Sequence, residues 1–330
     1  MTDGSMDALA GQRVLVTGGA GVIARELLDR LSTAGASVLS VDRLPLPTDP
    51  PPGVEHLVAD LASADLEPIA RFRPRHVFHL AATFERSVES PEFWDQNWND
   101  NVVVTHRLAE LAGRIGDVES FVFASSYLVY DPEQYSTTAP PAAAVPLTES
   151  SPLGSRNLCG AAKLYGEAEL RFVREIQAAG FRASFARIFR VYGRGSRDVV
   201  SRWVRAALDG EPIAVYHAEN RFDYIFSGDV AEGLVRMAVS PRAAGIINLG
   251  SGNARPVADV IEAIERATGS RLDARHDAVD EPFEASCADV GRLLDTLGWT
   301  PPTTLEAGVE WLVDFERRRR REGAPVAADR

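Results

Sequence analysis

The chain has 330 residues, 45% of them apolar, which is enough for a large core, and the length favours two domains or one with a substantial extension. A net charge of -12 and a pI near 5.1 argue against a nucleic-acid binder, because contact with phosphates needs a basic face. No apolar stretch approaches the ~20 residues that cross a bilayer, and Met1 to Ala10 lacks the parts of a signal peptide. Cys159 and Cys287 offer neither a disulfide framework nor metal-ligand spacing, so a soluble, cytoplasmic protein without a metal is expected.

From the N-terminus, Arg13 to Thr17 is a short apolar run ending in glycines, and residues 22–34 then take up helical periodicity: a strand, a turn and a helix. Runs at 37–41 and 54–58 lead to Asp42 and Asp60, and runs at 76–80 and 120–124 add two strands with a long helix over 95–114 between them. Strands alternating with helices predict an α/β fold, a Rossmann-type doubly wound parallel sheet with helices on both faces. Residues 131–156, rich in Pro, Thr, Ser and Ala, read as a long loop, and loops of that length are often functional. A helix over 159–179 leaves the loop and a strand over 183–188 follows. The remainder is less regular, with strand-like runs at 212–216 and 246–249 and amphipathic segments at 198–209, 256–268 and 304–321.

The turn Thr17-Gly18-Gly19-Ala20-Gly21-Val22-Ile23-Ala24 puts small residues at 18, 21 and 24 between the first strand and the first helix. Gly18 allows the tight turn and Gly21 lets a pyrophosphate approach the backbone. Val22 and Ile23 open a helix whose N-terminal amides and dipole favour an anion. Asp42 lies about 20 residues on, where a carboxylate accepts hydrogen bonds from ribose hydroxyls and repels a 2′-phosphate. NAD is therefore expected rather than NADP, with Arg43 beside it pulling the other way. A dinucleotide-binding domain is expected over 11–188, with a segment near 222–248 returning to it. A smaller C-terminal α/β substrate domain takes 189–221 and 249–316. Residues 1–10 and 317–330 are expected to be flexible tails, with Arg317 to Arg321 a fraying helix end.

Lys163 is the only lysine among 35 basic residues. Its surroundings, with Thr17 to Gly21, Asp42, Asp60-Leu61, His79 to Ala82, Asn101 with Thr105, Ser125-Ser126 with Val129-Tyr130, Glu167, Arg187 to Gly193, Asp223 to Asp229, Asn248 to Gly252 and Leu297 to Pro301, resemble the extended short-chain dehydrogenase/reductase family. The likeness is to its nucleotide-sugar epimerases and dehydratases, over residues 12 to 315. It implies that Asp60 and Leu61 line the adenine, that Leu80, Ala81 and Ala82 pass beside the cofactor phosphates and ribose, and that Lys163 holds the nicotinamide ribose. It also implies Thr83, Arg190, Arg197 and Arg221 on the substrate side, and a homodimer through helices 95–114 and 159–179. Asn101 would bridge backbone groups, and His79 reads as a hydrogen-bonded core histidine. Trp94, Trp98 and Phe93 either line the sugar pocket or pack; Tyr165 reads as packing.

In that family a serine or threonine and a tyrosine four residues before the lysine share the acid-base work. Ser126 occupies the serine position, but four residues before Lys163 stands Cys159. Three readings stay open. The Cys159 thiol, of intrinsic pKa about 8.5 and depressed further by a neighbouring ammonium and a helix N-terminus, acts as acid-base group or nucleophile despite its shorter reach. Alternatively Tyr127, directly after Ser126 at the end of a parallel strand, supplies the phenol. In the third reading the function is lost. Tyr127 and Leu128 stand where the 4,6-dehydratases carry an acidic pair, so that dehydration is not expected. Arg190 replaces an asparagine that meets the substrate diphosphate, and Phe222 stands at a later arginine position with Arg221 displaced by one. With Arg194, Arg197 and Arg202, these are either a diphosphate clamp or a solvated arginine face. The expected function is an NAD-dependent nucleotide-sugar epimerase working through a transient keto sugar. The rivals are a keto-reductase or atypical dehydratase of a nucleotide sugar or secondary metabolite, and a non-catalytic NAD-binding sensor.

Overall fold

In the computed structural model, which describes residues 7–84, 90–176, 179–276 and 279–322, Arg13–Thr17 (β1) is apolar at successive positions because both of its faces are covered. It runs through the glycine turn into Val22–Thr33 (α1), whose Ala24, Leu27, Leu28 and Leu31 recur at helical spacing and are all buried. Ser37–Asp42 (β2), Val54–Val58 (β3), Glu67–Phe72 (α2) and His76–His79 (β4) follow. Pro91–Asn97 (α3) continues through a π-helical stretch, Trp98–Val103, into Val104–Ile115 (α4), so the long helix expected over 95–114 is a rod with a widened middle. Ser120–Ser126 (β5) completes the first half, and the long loop after it holds Ser136–Thr137 (β6) and Val145–Leu147 (β7).

Then come Leu158–Ile176 (α5), Arg182–Ile188 (β8), Arg190–Tyr192 (β9), Val199–Asp209 (α6), Ile213–Val215 (β10), Arg221–Phe226 (β11), Ser227–Val239 (α7), Gly245–Leu249 (β12), Ala254–Pro256 (β13) and Val257–Thr268 (α8). Ala274–His276 (β14), Phe283–Ala288 (β15), Gly291–Leu297 (α9) and Leu305–Arg321 (α10) end the described chain.

Seven strands form one parallel sheet in the order β12-β8-β5-β4-β1-β2-β3. Connections turn in opposite directions on the two sides of β1 and β4, so the sheet is doubly wound and a crevice opens beyond the carboxyl ends of those two strands. Thr17 pairs with Val41 on one side and with His79 on the other, which brings the glycine turn, Asp42 and Leu80 to the same edge. One face of the sheet is covered by a core that includes Leu27, Val235 and Ile247, the other by one that includes Leu108, Phe121 and Leu170. A second sheet, β13-β11-β15-β6, with β7 and β9 alongside, packs near a third core built from α6, α8 and α10 around Trp203, Val260 and Leu312.

The strand Arg221–Phe226 pairs with β9, β13 and β15, while its Ile225 is buried in the core on one face of the first sheet, into which α7 and β12 carry the chain. One expectation is corrected. Arg317 to Arg321 do not fray: they form the last turn of α10, where cations suit the carboxyl end of the helix dipole. Arg319 pairs with Glu316, Arg320 with Asp209, and Arg317 donates to the Thr268 carbonyl. Leu9 is fully buried, so the chain is anchored before residue 10. Residues 1–6 and 323–330 of the expected tails lie outside the described residues. Among the described residues no helix is long and apolar enough to cross a membrane.

Candidate active site

At the end of β1, Gly18 has φ +75°, and a Cβ there would lie 2.7 Å from the Ala81 nitrogen and 2.8 Å from its Cα. Only glycine lets the turn touch the segment that leaves β4. The Gly21 amide donates to the Gly18 carbonyl at 2.9 Å, and Gly21 caps α1 without a side chain, so the first-turn amides of α1 remain open to an anion. Val22 and Ile23, half-buried, begin that turn. The Asp42 carboxylate is held by the amides of Ala20 and Leu44, each at 3.0 Å. Arg43 pairs with Asp100 at 2.9 Å, which ties its charge down beside Asp42. A cleft lined by Gly18, Gly21, Asp42, Arg43, Asp60, Leu61, Leu80, Ala81, Ala82, Asp100 and Val104 results. Asp100, carried in by the π-helical stretch, was not foreseen; nothing in its spacing marks it.

Asn101 on the same stretch accepts from the Thr83 amide at 2.8 Å and donates to the Thr83 carbonyl at 3.0 Å and to Asn97 at 2.7 Å. It fixes the strand-like segment 80–83 along the cleft, with Thr83 also accepting from Gln96. His79 is wedged between the hydroxyls of Thr17 at 2.8 Å and Thr105 at 3.0 Å. Burial first, and then the charge of Lys163, push its pKa down to about 3, so it is a neutral core histidine.

The first turn of α5 builds the other end of the site. Asn157 accepts from the Gly160 amide at 2.9 Å, the usual N-cap bond. A Cβ on Gly160 would fall 2.5 Å from the Leu128 carbonyl oxygen, so the glycine lets this turn close on the segment that follows β5. Cys159 is thereby buried, and Lys163 stands one helical turn beyond it, 4.8 Å over the Phe123 ring. Burial lowers the pKa of the ammonium, and Cys159 opposes that shift. Among the described residues the group that acts on the Lys163 charge is Cys159 and no carboxylate does so, and a buried charge without a counter-ion is costly. Glu167, one turn further on, accepts from Ser125 at 2.6 Å and from Arg187 at 3.0 and 2.9 Å, a buried forked pair that pins α5 to β5 and β8. The Ser126 hydroxyl accepts from the Leu128 amide at 3.2 Å.

Tyr127 begins the short turn that follows β5. It is buried, stacks on Phe189 with centroids 5.3 Å apart, and has Tyr135, Tyr224 and Arg156 as its electrostatic neighbours. Arg190 lies 5.7 Å over the Tyr127 ring and 3.6 Å over Phe222, and donates to Glu284 at 3.3 Å; Arg156 grips the same carboxylate. The other arginines do not form one face. Arg194 is bound to Glu26 and Asp29 of α1, Arg221 donates to the Pro141 carbonyl at 3.2 Å, and Arg197 and Arg202 are exposed. Arg190 joins the aromatic wall formed by Tyr127 and Phe222. Arg156 and Glu284 were not foreseen, being 128 residues apart. Trp94 and Trp98 lie at the surface while Phe93 is buried; Tyr165, expected to pack, is half-exposed on the outer side of α5.

The family model described as NAD dependent epimerase/dehydratase family matches residues 14–250. The chain is 31% identical to a UDP-glucose 4-epimerase of Mycolicibacterium smegmatis, covering 93% of this chain and 99% of that one. It is 29% identical to UDP-glucuronic acid decarboxylase 2 of Arabidopsis thaliana, covering 96% of this chain and 72% of the relative. Among solved structures, MoeE5 in complex with UDP-glucose and NAD superposes with a TM-score of 0.79 at 30% identity, over 93% of this chain and 99% of that one. A Thermus thermophilus UDP-glucose 4-epimerase complex with NAD gives 0.78 at 28%, over 93% and 99%. With a doubly wound sheet, a glycine cradle at its switch point and a buried lysine near the start of α5, the chain belongs to the NAD-dependent epimerase/dehydratase family, within the extended short-chain dehydrogenases/reductases, and is an NAD-dependent enzyme.

Proposed function

We propose that the protein is an NAD-dependent nucleotide-sugar epimerase in which Cys159 and Ser126, rather than a tyrosine, handle the proton of the sugar hydroxyl. The observation that carries this reading is the buried Lys163 ammonium, without a carboxylate partner among the described residues and one turn past Cys159. Such a cation makes sense if ribose hydroxyls and a neighbouring thiolate complete its surroundings.

The residues present fit NAD, because Gly18 brings the turn against the 80–81 backbone with no side chain in the way and the first turn of α1 keeps its amides free. In this reading Gly18, Gly21 and the amides of Val22 and Ile23 hold the pyrophosphate, and Asp42 takes the ribose hydroxyls. Asp60 and Leu61 meet the adenine, Leu80 to Ala82 flank the phosphates, and Lys163 holds the nicotinamide ribose. When bound, the cofactor supplies a hydride acceptor that can return what it takes.

The chain's own work is to move a proton and to turn the sugar. Lys163 favours the ionised form of Cys159 by its charge, and a thiol is intrinsically more acidic than a phenol. Cys159 then accepts the hydroxyl proton, directly or through a water, while Ser126 holds the sugar oxygen, and the keto sugar presents its other face before the proton returns. Tyr127, turned toward Phe189 and Arg190, acts in this reading as part of the sugar wall. The similarity to UDP-glucose 4-epimerases supports epimerisation. The similarity to UDP-glucuronic acid decarboxylases favours a second outcome, in which the carboxylate of the keto sugar leaves as carbon dioxide, its bonding pair passes to the neighbouring ketone as an enolate, and a proton is added at carbon before reduction.

The test is to purify the protein, identify the cofactor that accompanies it, and follow interconversion of UDP-sugars by product analysis in wild-type, Cys159→Ala, Cys159→Tyr and Tyr127→Phe. Activity that survives Cys159→Ala but not Tyr127→Phe would transfer the role to Tyr127. We further propose a homodimer through the outer faces of α5 and of the rod formed by the π-helical stretch and α4, where Trp98, Tyr165, Phe172 and Ile176 are exposed. Light scattering should give twice the chain mass, and Phe172→Glu should give one.

A further inference from the structure

Glu284, on β15, has a side chain only 13% exposed and stands between two arginines from distant parts of the chain. Arg156, in the loop that enters α5, grips it with both terminal nitrogens, one bond measuring 2.5 Å. Arg190, on β9, reaches the same Oε2 through a single bond of 3.3 Å. The two holds are unequal. A forked pair of charge-assisted bonds is strong and directional, whereas one long bond to an oxygen that already accepts a shorter one is weak. Burial raises the Glu284 pKa, but the two guanidiniums outweigh it and keep the carboxyl below its usual range, hence ionised.

Arg190 does not depend on Glu284 for its place. Its guanidinium lies on the Phe222 face at 3.6 Å, and the backbone of β9 is paired to β11. Its Nε is buried without a hydrogen-bond partner among the described residues, so part of the charged fork is unused. Two guanidiniums against one carboxylate leave the cluster with an excess positive charge beside Tyr127, the residue after Ser126.

We propose that Glu284 sets the affinity of the site for an anionic group on the substrate: Arg190 exchanges Glu284 for the ligand's anionic oxygens, while Arg156 retains Glu284 and limits its competition. This rests on the nucleotide-sugar reading above. Glu284 is a positioning residue that acts through Arg190. The anionic oxygens belong either to the diphosphate or to a carboxylate on the sugar.

The test uses NAD-loaded protein and calorimetric titration with UDP, UDP-glucose and UDP-glucuronic acid at low and high salt. An internal competitor and a merely structural bridge give different signs. Removing the competitor in Glu284→Gln should tighten binding about threefold to tenfold, more at low salt, because charge is left for the ligand. Arg156→Gln, which leaves Glu284 wholly to Arg190, should weaken binding by a similar factor. Arg190→Gln should lose the gain when combined with Glu284→Gln. A gain for UDP-glucuronic acid alone assigns the carboxylate, and a gain for all three assigns the diphosphate. Weakened or unchanged binding in Glu284→Gln with NAD retained overturns the proposal. If Glu284→Gln fails to fold, Arg156→Gln decides: unchanged or tighter binding there overturns it. A wild-type protein that binds NAD but none of the three ligands overturns the substrate reading itself, which is a separate result.

Discussion

Replacing Gly18 by alanine probes the cofactor cradle, and Gly116→Ala is its natural control. Both glycines have φ near the left-handed region, +75° and +71°. At Gly116, the end of α4, a Cβ meets nothing within 4 Å, so alanine should cost only the conformational penalty of about 1–2 kcal/mol. At Gly18 the same penalty applies, and the new Cβ would also lie 2.7 Å from the Ala81 nitrogen and 2.9 Å from the Leu80 carbonyl carbon, atoms of backbone that cannot rotate aside. Overpacking of that kind adds about 1–3 kcal/mol, so Gly18→Ala should lose roughly 2 kcal/mol more than Gly116→Ala in urea unfolding. Relief requires the 80–82 segment to move, and that segment lines the cleft. NAD affinity measured by calorimetry should therefore fall at least about tenfold in Gly18→Ala, or 1.4 kcal/mol, and stay unchanged in Gly116→Ala. Equal stability losses in the two variants, or wild-type NAD affinity in Gly18→Ala, would refute the reasoning.

Glu167→Gln leaves Arg187, whose side chain is 1% exposed, without its counter-charge, and should cost about 3–5 kcal/mol of unfolding free energy; a loss below about 1 kcal/mol contradicts the buried-pair argument. Asp42→Ala removes the fixed carboxylate at the end of β2 and should weaken NAD binding about tenfold to a hundredfold while narrowing the preference over NADP, as competition titration would read. Stability should fall with acid before the carboxylates titrate. Burial, and then nearby cations, push the pKa of His76 down to about 4 and that of His79 to about 3, against about 6.5 in the unfolded chain. The unfolded state then binds the extra protons, so the contribution is complete above about pH 6.5 and is lost as pH falls toward those folded values. By pH 5 each histidine should account for a loss of about 2 kcal/mol, and a flat urea profile between pH 7 and 5 would exclude it.

The sheet, and the residues that line the cleft at its switch point, were legible because they rest on local signals. Buried parallel strands leave apolar runs, and the small residues at 18, 21 and 24 can be counted along the chain, as can an acid at the end of the second strand. Lys163 stood out because it is alone. The substrate side was not legible, since Arg156, Arg190 and Glu284 meet only when three strands and a loop have packed, and no spacing in the sequence encodes that meeting. The same holds for Arg194, which looks like a neighbour of Arg190 along the chain but is tied to α1. Tyr127 follows Ser126 in sequence, yet the turn at the end of β5 swings its ring to Phe189, a direction that adjacency alone does not give. By composition Arg317 to Arg321 read as a charge run that unravels, whereas they form the last turn of α10, in which Glu316 holds Arg319 and Asp209 holds Arg320.

The most direct test of the central claim is turnover of a UDP-sugar by Cys159→Ala, with NAD content and unfolding temperature measured on the same sample. If Cys159 beside Lys163 handles the proton, the rate should fall by about 10²-fold or more with cofactor and stability retained. Wild-type turnover in Cys159→Ala would contradict the account.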